Sequence, residues 1–181
     1  KIKKMNIQSL LTSELKSNQI NEILNLKNTH WKYGYVSQKN WFKKNVRKTD
    51  LHNILISNGK ISGYTFLGFR TYHVIKKNGD SKVLKNYLLF HSLILKSQFR
   101  KYKNLSRFMN FNNKIIRSNK KPSFLLCRKD KINMYKRFGW KLLQNEDFEV
   151  KDHTHGLIGM SFNFKQILGE ESDKYNFYYY I

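Results

Sequence analysis

The chain has 181 residues, 40% of them hydrophobic and 15% aromatic, and carries a net charge of +23. That apolar content is enough to bury one core, which excludes a disordered polyelectrolyte and predicts a single domain over residues 1–181. No apolar run nears the ~20 residues of a membrane span, and a lone cysteine, Cys127, excludes an internal disulfide or a cysteine-built metal centre; a reducing, cytoplasmic setting without membrane contact is expected.

Along the chain, "LTSELKSNQINEILNLKN" opens on Ser/Thr residues and spaces Leu15, Ile20, Ile23, Leu24 and Leu26 for a first helix. "SQKNWFKKNV" reads as a second, shorter helix capped by Ser37. Three strands are expected next. "LHNILIS" ends in the hairpin signal Asn58-Gly59, "ISGYTFLGFRTYHVI" ends in the turn "KKNGD", and "LKNYLLFHSLIL" comes third. "NLSRFMNFNNKIIRSN" returns to helical spacing through Leu105, Phe108, Met109, Phe111, Ile115 and Ile116. Pro122 marks the boundary before a short buried strand, "SFLLC". "KINMYKRFG" is a helix closed by Gly139, and "WKLLQ" and "GLIGMSFNF" supply two late strands. The order ααβββαβαββ describes an antiparallel meander followed by a βαβ crossover. It predicts an α+β fold: a mixed, mostly antiparallel central sheet flanked by helices.

The charge is unevenly spread. No acid lies between Asp80 and Asp130, whereas seven of the twelve acids fall in the last 36 residues. A field of that sign draws anions, whether a polyphosphate cofactor, anionic lipid or nucleic acid.

Two segments carry a resemblance. "LLCRKDKINMYKRFGW" resembles the motif that closes the acetyl-coenzyme A site in the GNAT superfamily of N-acetyltransferases, and is most similar to arylalkylamine-type members, where strand, Cys, short helix, Tyr and Gly-aromatic recur in that order. "LILKSQFRKYKNLSRFM" resembles the same superfamily's coenzyme-binding segment, a strand running into a pyrophosphate loop and a helix. The resemblance implies a coenzyme-binding core over residues 88–140 and acceptor-side helices over roughly 12–50. It further implies acetyl-CoA as cosubstrate, no metal, and direct transfer to a small amine; dimers are common in this fold.

The pyrophosphate loop departs from the superfamily pattern, which puts Arg or Gln first and glycines at the fourth and sixth positions. Here those positions are Arg100, Lys103 and Leu105. Glycines let backbone N–H groups approach a phosphate without a Cβ clash. Positive charge from Arg100, Lys101, Lys103 and Arg107 beside a helix N-terminus compensates. The resemblance places the loop site on Arg100, Lys101, Tyr102, Lys103, Asn104, Leu105 and Ser106.

The resemblance makes Tyr135 the acid that protonates the departing thiolate, a sensible task for a phenol of pKa near ~10. It lays the backbone of Leu93, Ile94 and Leu95 along the pantetheine, one N–H polarising the thioester carbonyl. His91 shares one strand face with Leu89, Leu93 and Leu95. It is the candidate base for the amine, as well as an ordinary core histidine. Upstream, His30, Trp31, Tyr33, Tyr35, Asp50 and His52 are the residues available to hold an acceptor. A positive site favours an anionic amine, such as a nucleotide- or phosphate-linked amino sugar. The alternative reading is a non-catalytic basic protein binding RNA or another polyanion on a decayed acetyltransferase fold, supported by the charge and by aromatics able to stack on bases.

Overall fold

The computed structural model describes residues 5–75, 82–151, 156–164 and 174–179; the turn expected at "KKNGD" (76–80) lies outside them. The chain groups into two compact units, Lys1–Gly68 with Phe90–Ile115, and Phe69–Leu89 with Ile116–Ile181.

The first unit opens with a strand absent from the expected order. β1 (Met5–Leu11) lies antiparallel on β2 (Leu51–Ser57), with Met5 opposite Ser57 and Leu11 opposite Leu51. Nearly every residue of β1 is half-buried, so neither face carries a clean apolar alternation. β2 turns into β3 (Lys60–Ile75) through Asn58 and Gly59, whose φ of 50° and 73° form the mirror-image turn that suits a two-residue hairpin.

Between β1 and β2 come two helices. The residues expected to begin the first one make a 3-10 turn at Thr12–Glu14, and α1 itself spans Ser17–His30, with Gln19 Oε1 accepting the Lys16 N–H (2.9 Å) at its start. α2 spans Tyr35–Asn45. Ser37 is therefore inside its first turn rather than at its cap. Gly34 takes the cap position with φ +86°, and Asn28 Oδ1 accepts its N–H at 2.8 Å. β4 (Lys82–Leu95) and α3 (Tyr102–Ser118) follow, and the stretches of both inside residues 90–115 complete the unit. A buried polar clip ties α3 to the sheet. Asn112 Oδ1 accepts from Asn53 Nδ2 (2.7 Å), while Asn112 Nδ2 donates to Thr65 Oγ1 (3.4 Å) and to the Phe108 carbonyl (2.9 Å).

In the second unit, β4 runs parallel to β5 (Ser123–Cys127) at Leu88 and Leu89. α4 (Ile132–Lys136) follows, closed by Gly139 at φ +81° as expected. β6 is only Lys141–Leu142, shorter than "WKLLQ" suggests. β7 (Phe148–Lys151) and β9 (Lys174–Tyr178) are further additions to the expected order, and β8 (Ile158–Phe162) lies within the last expected strand. β8 pairs antiparallel with β5 and β6; β9 pairs antiparallel with β3 at Tyr72–Ile75 and parallel with β7. The aromatic core here is dense, with Phe124 stacked on Phe177 at 3.9 Å and 4°. A Cβ on Gly159 would run into the Phe148 ring. The fold class is the expected one: α+β, with a mixed, mostly antiparallel sheet and flanking helices.

Candidate active site

Three parts of the molecule hold the expected site residues, two in the first unit and one in the second. The end of β4 is irregular. Ser92, near the strand's C-terminal end, has φ +63°, a conformation that costs a β-carbon-bearing residue about 1–2 kcal/mol and persists only where surrounding structure imposes it. Its hydroxyl lies 2.5 Å from His91 Nδ1. Beyond this kink Leu93 is half-buried and Ile94 and Leu95 are buried. β3 approaches so closely there that a Cβ on Gly63 would lie 2.5 Å from the Leu95 side chain. A kink of this kind breaks the strand's regular ladder and redirects the backbone that follows.

Next, Ser97–Phe99 form a 3-10 turn, Phe99 is buried, and Arg100 Nε donates to the Leu95 carbonyl at 3.0 Å. Arg100, Lys101, Tyr102 and Lys103 are exposed at the start of α3; Asn104, Leu105 and Ser106 are half-buried. The N–H groups of residues 101–103 precede the first intrahelical bonds, so they form, with the cations, an anion-attracting helix end. The missing glycines are explained by geometry. No residue from 96 to 106 has a positive φ, so the backbone there does not need glycine. Leu105 turns its side chain onto the cluster of Leu55, Leu95, Phe99 and Phe108. Leu105→Gly is accordingly expected to destabilise the protein by about 1–3 kcal/mol. Guanidinium unfolding tests this; unchanged stability would show that the leucine does not serve the core.

The acceptor-side residues separate into two sets. His91 is stacked at 5.2 Å on Trp41 and at 6.2 Å on Trp31, with interplanar angles of 12° and 17°, and His30 meets Trp31 edge-on at 4.6 Å. Trp31, Trp41 and His91 are each half-buried and form an aromatic shelf. The remaining candidates do not join this stack. Tyr33 is 71% exposed, and the Tyr35 hydroxyl donates to Asn21 Oδ1 (2.6 Å), pinning α2 to α1. Asp50 and His52 are fully buried. The Asp50 carboxylate accepts the Arg47 N–H (2.8 Å), which shapes the turn into β2. His52 has Thr12 Oγ1 at 2.8 Å from Nε2 and the Tyr64 hydroxyl at 2.9 Å from Nδ1. Burial, with Lys27 nearby, holds its pKa down to about 3, so it stays neutral and serves the core.

Lys27 is the residue that sequence reading missed. It is 3% exposed, and its Nζ sits 3.7 Å from the centre of the Trp41 ring. Burial lowers its pKa from 10.5 to about 7. The signal was present: Lys27 lies four residues after Ile23 and three after Leu24, on the helix face that is buried.

In the second unit Tyr135 sits on α4, 8% exposed and edge-on to Trp140 at 6.0 Å. Its carbonyl accepts the N–H groups of Phe138 (2.9 Å) and Trp140 (3.3 Å), fixing the turn through Gly139. Burial, with Cys127 nearby, raises the phenol well above its ordinary pKa of 10, so it holds its proton at neutral pH. Burial also lifts the Cys127 thiol to about 11, which keeps it from acting as a nucleophile.

The sequence matches no family model, and no curated protein matches it. The fold matches solved structures. Escherichia coli ElaA superposes with a TM-score of 0.61 at 19% identity, covering 87% of this chain and 99% of that one. An acyl-CoA N-acyltransferase from Pseudomonas aeruginosa gives 0.64 at 13% identity, with 87% and 99% covered. The GNAT family N-acetyltransferase YhbS from Escherichia coli, solved in complex with CoA, gives 0.64 at 11% identity, with 99% and 92% covered. At these identities the likeness establishes the fold, which is that of the GNAT N-acetyltransferases.

Proposed function

We propose that this chain, having the GNAT fold, is an acetyl-CoA-dependent N-acetyltransferase that transfers directly to a small, anionic amine. The observation that carries the reading is the kinked end of β4 leading into a cationic helix start, in a fold shared with an acetyltransferase solved with CoA. The loop fits a pyrophosphate: exposed Arg100, Lys101 and Lys103 flank open helical N–H groups, and the Leu105 side chain is turned away into the core.

Acetyl-CoA supplies the acetyl group as a thioester. The chain's own residues are assigned as follows. Arg100, Lys101 and Lys103, with the N–H groups at the start of α3, hold the pyrophosphate, with Tyr102, Asn104 and Ser106 lining the same loop. The backbone of Leu93, Ile94 and Leu95 orients the pantetheine, and one of its N–H groups stabilises the oxyanion that forms on the carbonyl. His91 takes the proton from the attacking amine, directly or through a water. Tyr135 gives its hydroxyl proton to the sulfur as the C–S bond breaks, leaving free thiol and the N-acetyl product. His30, Trp31 and Trp41 line the acceptor side. The setting is proposed to be cytoplasmic; no helix of the described residues is long and apolar enough to cross a membrane.

Calorimetric titration with acetyl-CoA at moderate salt tests the reading. Saturable binding in the micromolar range is expected, and an Arg100→Ala, Lys101→Ala double variant should weaken it about tenfold or more, since charge-assisted contacts to phosphate are among the stronger hydrogen bonds. Absence of binding up to millimolar coenzyme would overturn it in favour of a polyanion-binding role, recognisable by a steep fall of RNA affinity with salt.

A further inference from the structure

A buried ammonium ordinarily has a counter-charge, because removing it from water costs several kcal/mol that only a partner offsets. Among the described residues no carboxylate contacts the Lys27 Nζ, which meets the face of Trp41 instead. Its position on the buried face of α1, one turn beyond Ile23 and Leu24, keeps the stem inside the fold. A leucine or methionine there would pack the same space without the desolvation cost. The ammonium also sits against a ring that reaches toward the surface, since Trp41 takes part both in the contact with Lys27 and in the half-buried Trp31–His91–Trp41 stack.

We infer that Lys27 is a specificity residue, its buried ammonium pairing with a carboxylate on the acceptor while the acceptor's planar or apolar body lies against Trp31, His91 and Trp41. This rests on the reading of that shelf as the acceptor side of an acetyltransferase. One ammonium, with His52 beside it held neutral, matches a monoanion better than a dianionic phosphate, which calls for several converging donors. The pairing selects by charge as well as shape. An acceptor of the same form with a neutral group in place of the carboxylate leaves the ammonium uncompensated.

Phenylacetate and phenylacetamide are suitable probes, since each presents one ring on the same stem and the two are nearly isosteric, the charged carboxylate of one being replaced by a neutral amide in the other. Binding to the full chain at pH 6, without coenzyme, is read by calorimetry and by tryptophan fluorescence, Trp31 and Trp41 being two of the three tryptophans. Phenylacetate is expected to bind saturably and at least about tenfold more tightly than phenylacetamide, a preference modest for a partly buried charge pair. Lys27→Met should abolish that preference, and Lys27→Arg should keep part of it. Equal binding of the two probes, no binding of phenylacetate, or a preference that survives Lys27→Met each overturns the inference. The comparison on the unaltered chain needs no variant to fold. Acetyl-CoA binding is measured separately, so a missing charge preference with intact coenzyme binding overturns this inference alone, whereas loss of coenzyme binding strikes the acetyltransferase reading.

Discussion

Tyr135→Phe should lower kcat about 100-fold or more while leaving acetyl-CoA affinity nearly unchanged, as expected for removal of a general acid. The substitution deletes one hydroxyl and keeps the ring that meets Trp140 edge-on, so the α4 turn and its hydrogen bonds to Phe138 and Trp140 stay in place. Stability should change by only about 1 kcal/mol, the usual cost of one hydrogen-bonding group. The raised pKa of the buried phenol adds a second signature. A wild-type kcat profile should show no loss from Tyr135 ionising below pH 10, because the group keeps its proton throughout that range. Steady-state rates of thiol release, with coenzyme binding measured in parallel, check both points. A variant rate within about threefold of wild type would reduce Tyr135 to a packing role, since so small a loss is far below what proton transfer contributes.

The second large effect is on stability, and its sign is unusual for a buried position. Lys27→Met should make the protein more stable, by roughly 2–4 kcal/mol at pH 7 and about half that at pH 9. The folded-state pKa of about 7 lies below the 10.5 of an ordinary lysine, so between those values the unfolded chain binds more protons. Stability contributed at this position therefore rises with pH across that interval and is flat below pH 7, where both states are protonated. Methionine titrates in neither state, so the advantage of the variant shrinks as pH rises. Guanidinium unfolding of both proteins at pH 7 and pH 9 isolates the effect, because other titrating groups cancel in the difference. A variant less stable than wild type at both values would mean that the ammonium is compensated inside the fold. Retention of a destabilising lysine is what a ligand-facing residue predicts, stability being spent on function.

Much of the fold was legible because its signals are local. Asn58-Gly59 marked a hairpin whose strands fall within a residue of the expected limits, and "SFLLC" and the Gly139 helix stop were read correctly from a few residues each. The strands that escaped were those whose evidence is non-local. β1 is half-buried along its length and exists through its pairing with β2. β7 and β9 are four and five residues long and pair in parallel with one another across a long sequence separation. A short strand without alternation has no propensity strong enough to declare it before its partner is known.

The candidate site divides in the same way. Sequence alone determined the order of the main elements, the cationic run from Arg100 to Arg107, and the placing of Tyr135 in a short helix ahead of Gly139, because composition and spacing along the chain state these directly. Only the tertiary structure decided which candidates face outward. It gathered Trp31, Trp41 and His91, contributed by α1's end, α2 and β4, into one shelf, and it locked His52 between Thr12 and Tyr64. It packed Leu105, at a position where the superfamily pattern has glycine, onto the core, and buried Lys27 against Trp41. The physical reason is that burial and partner choice belong to surfaces brought together from distant parts of the chain. A lysine's or histidine's chemistry is set by that surrounding, not by its neighbours in sequence.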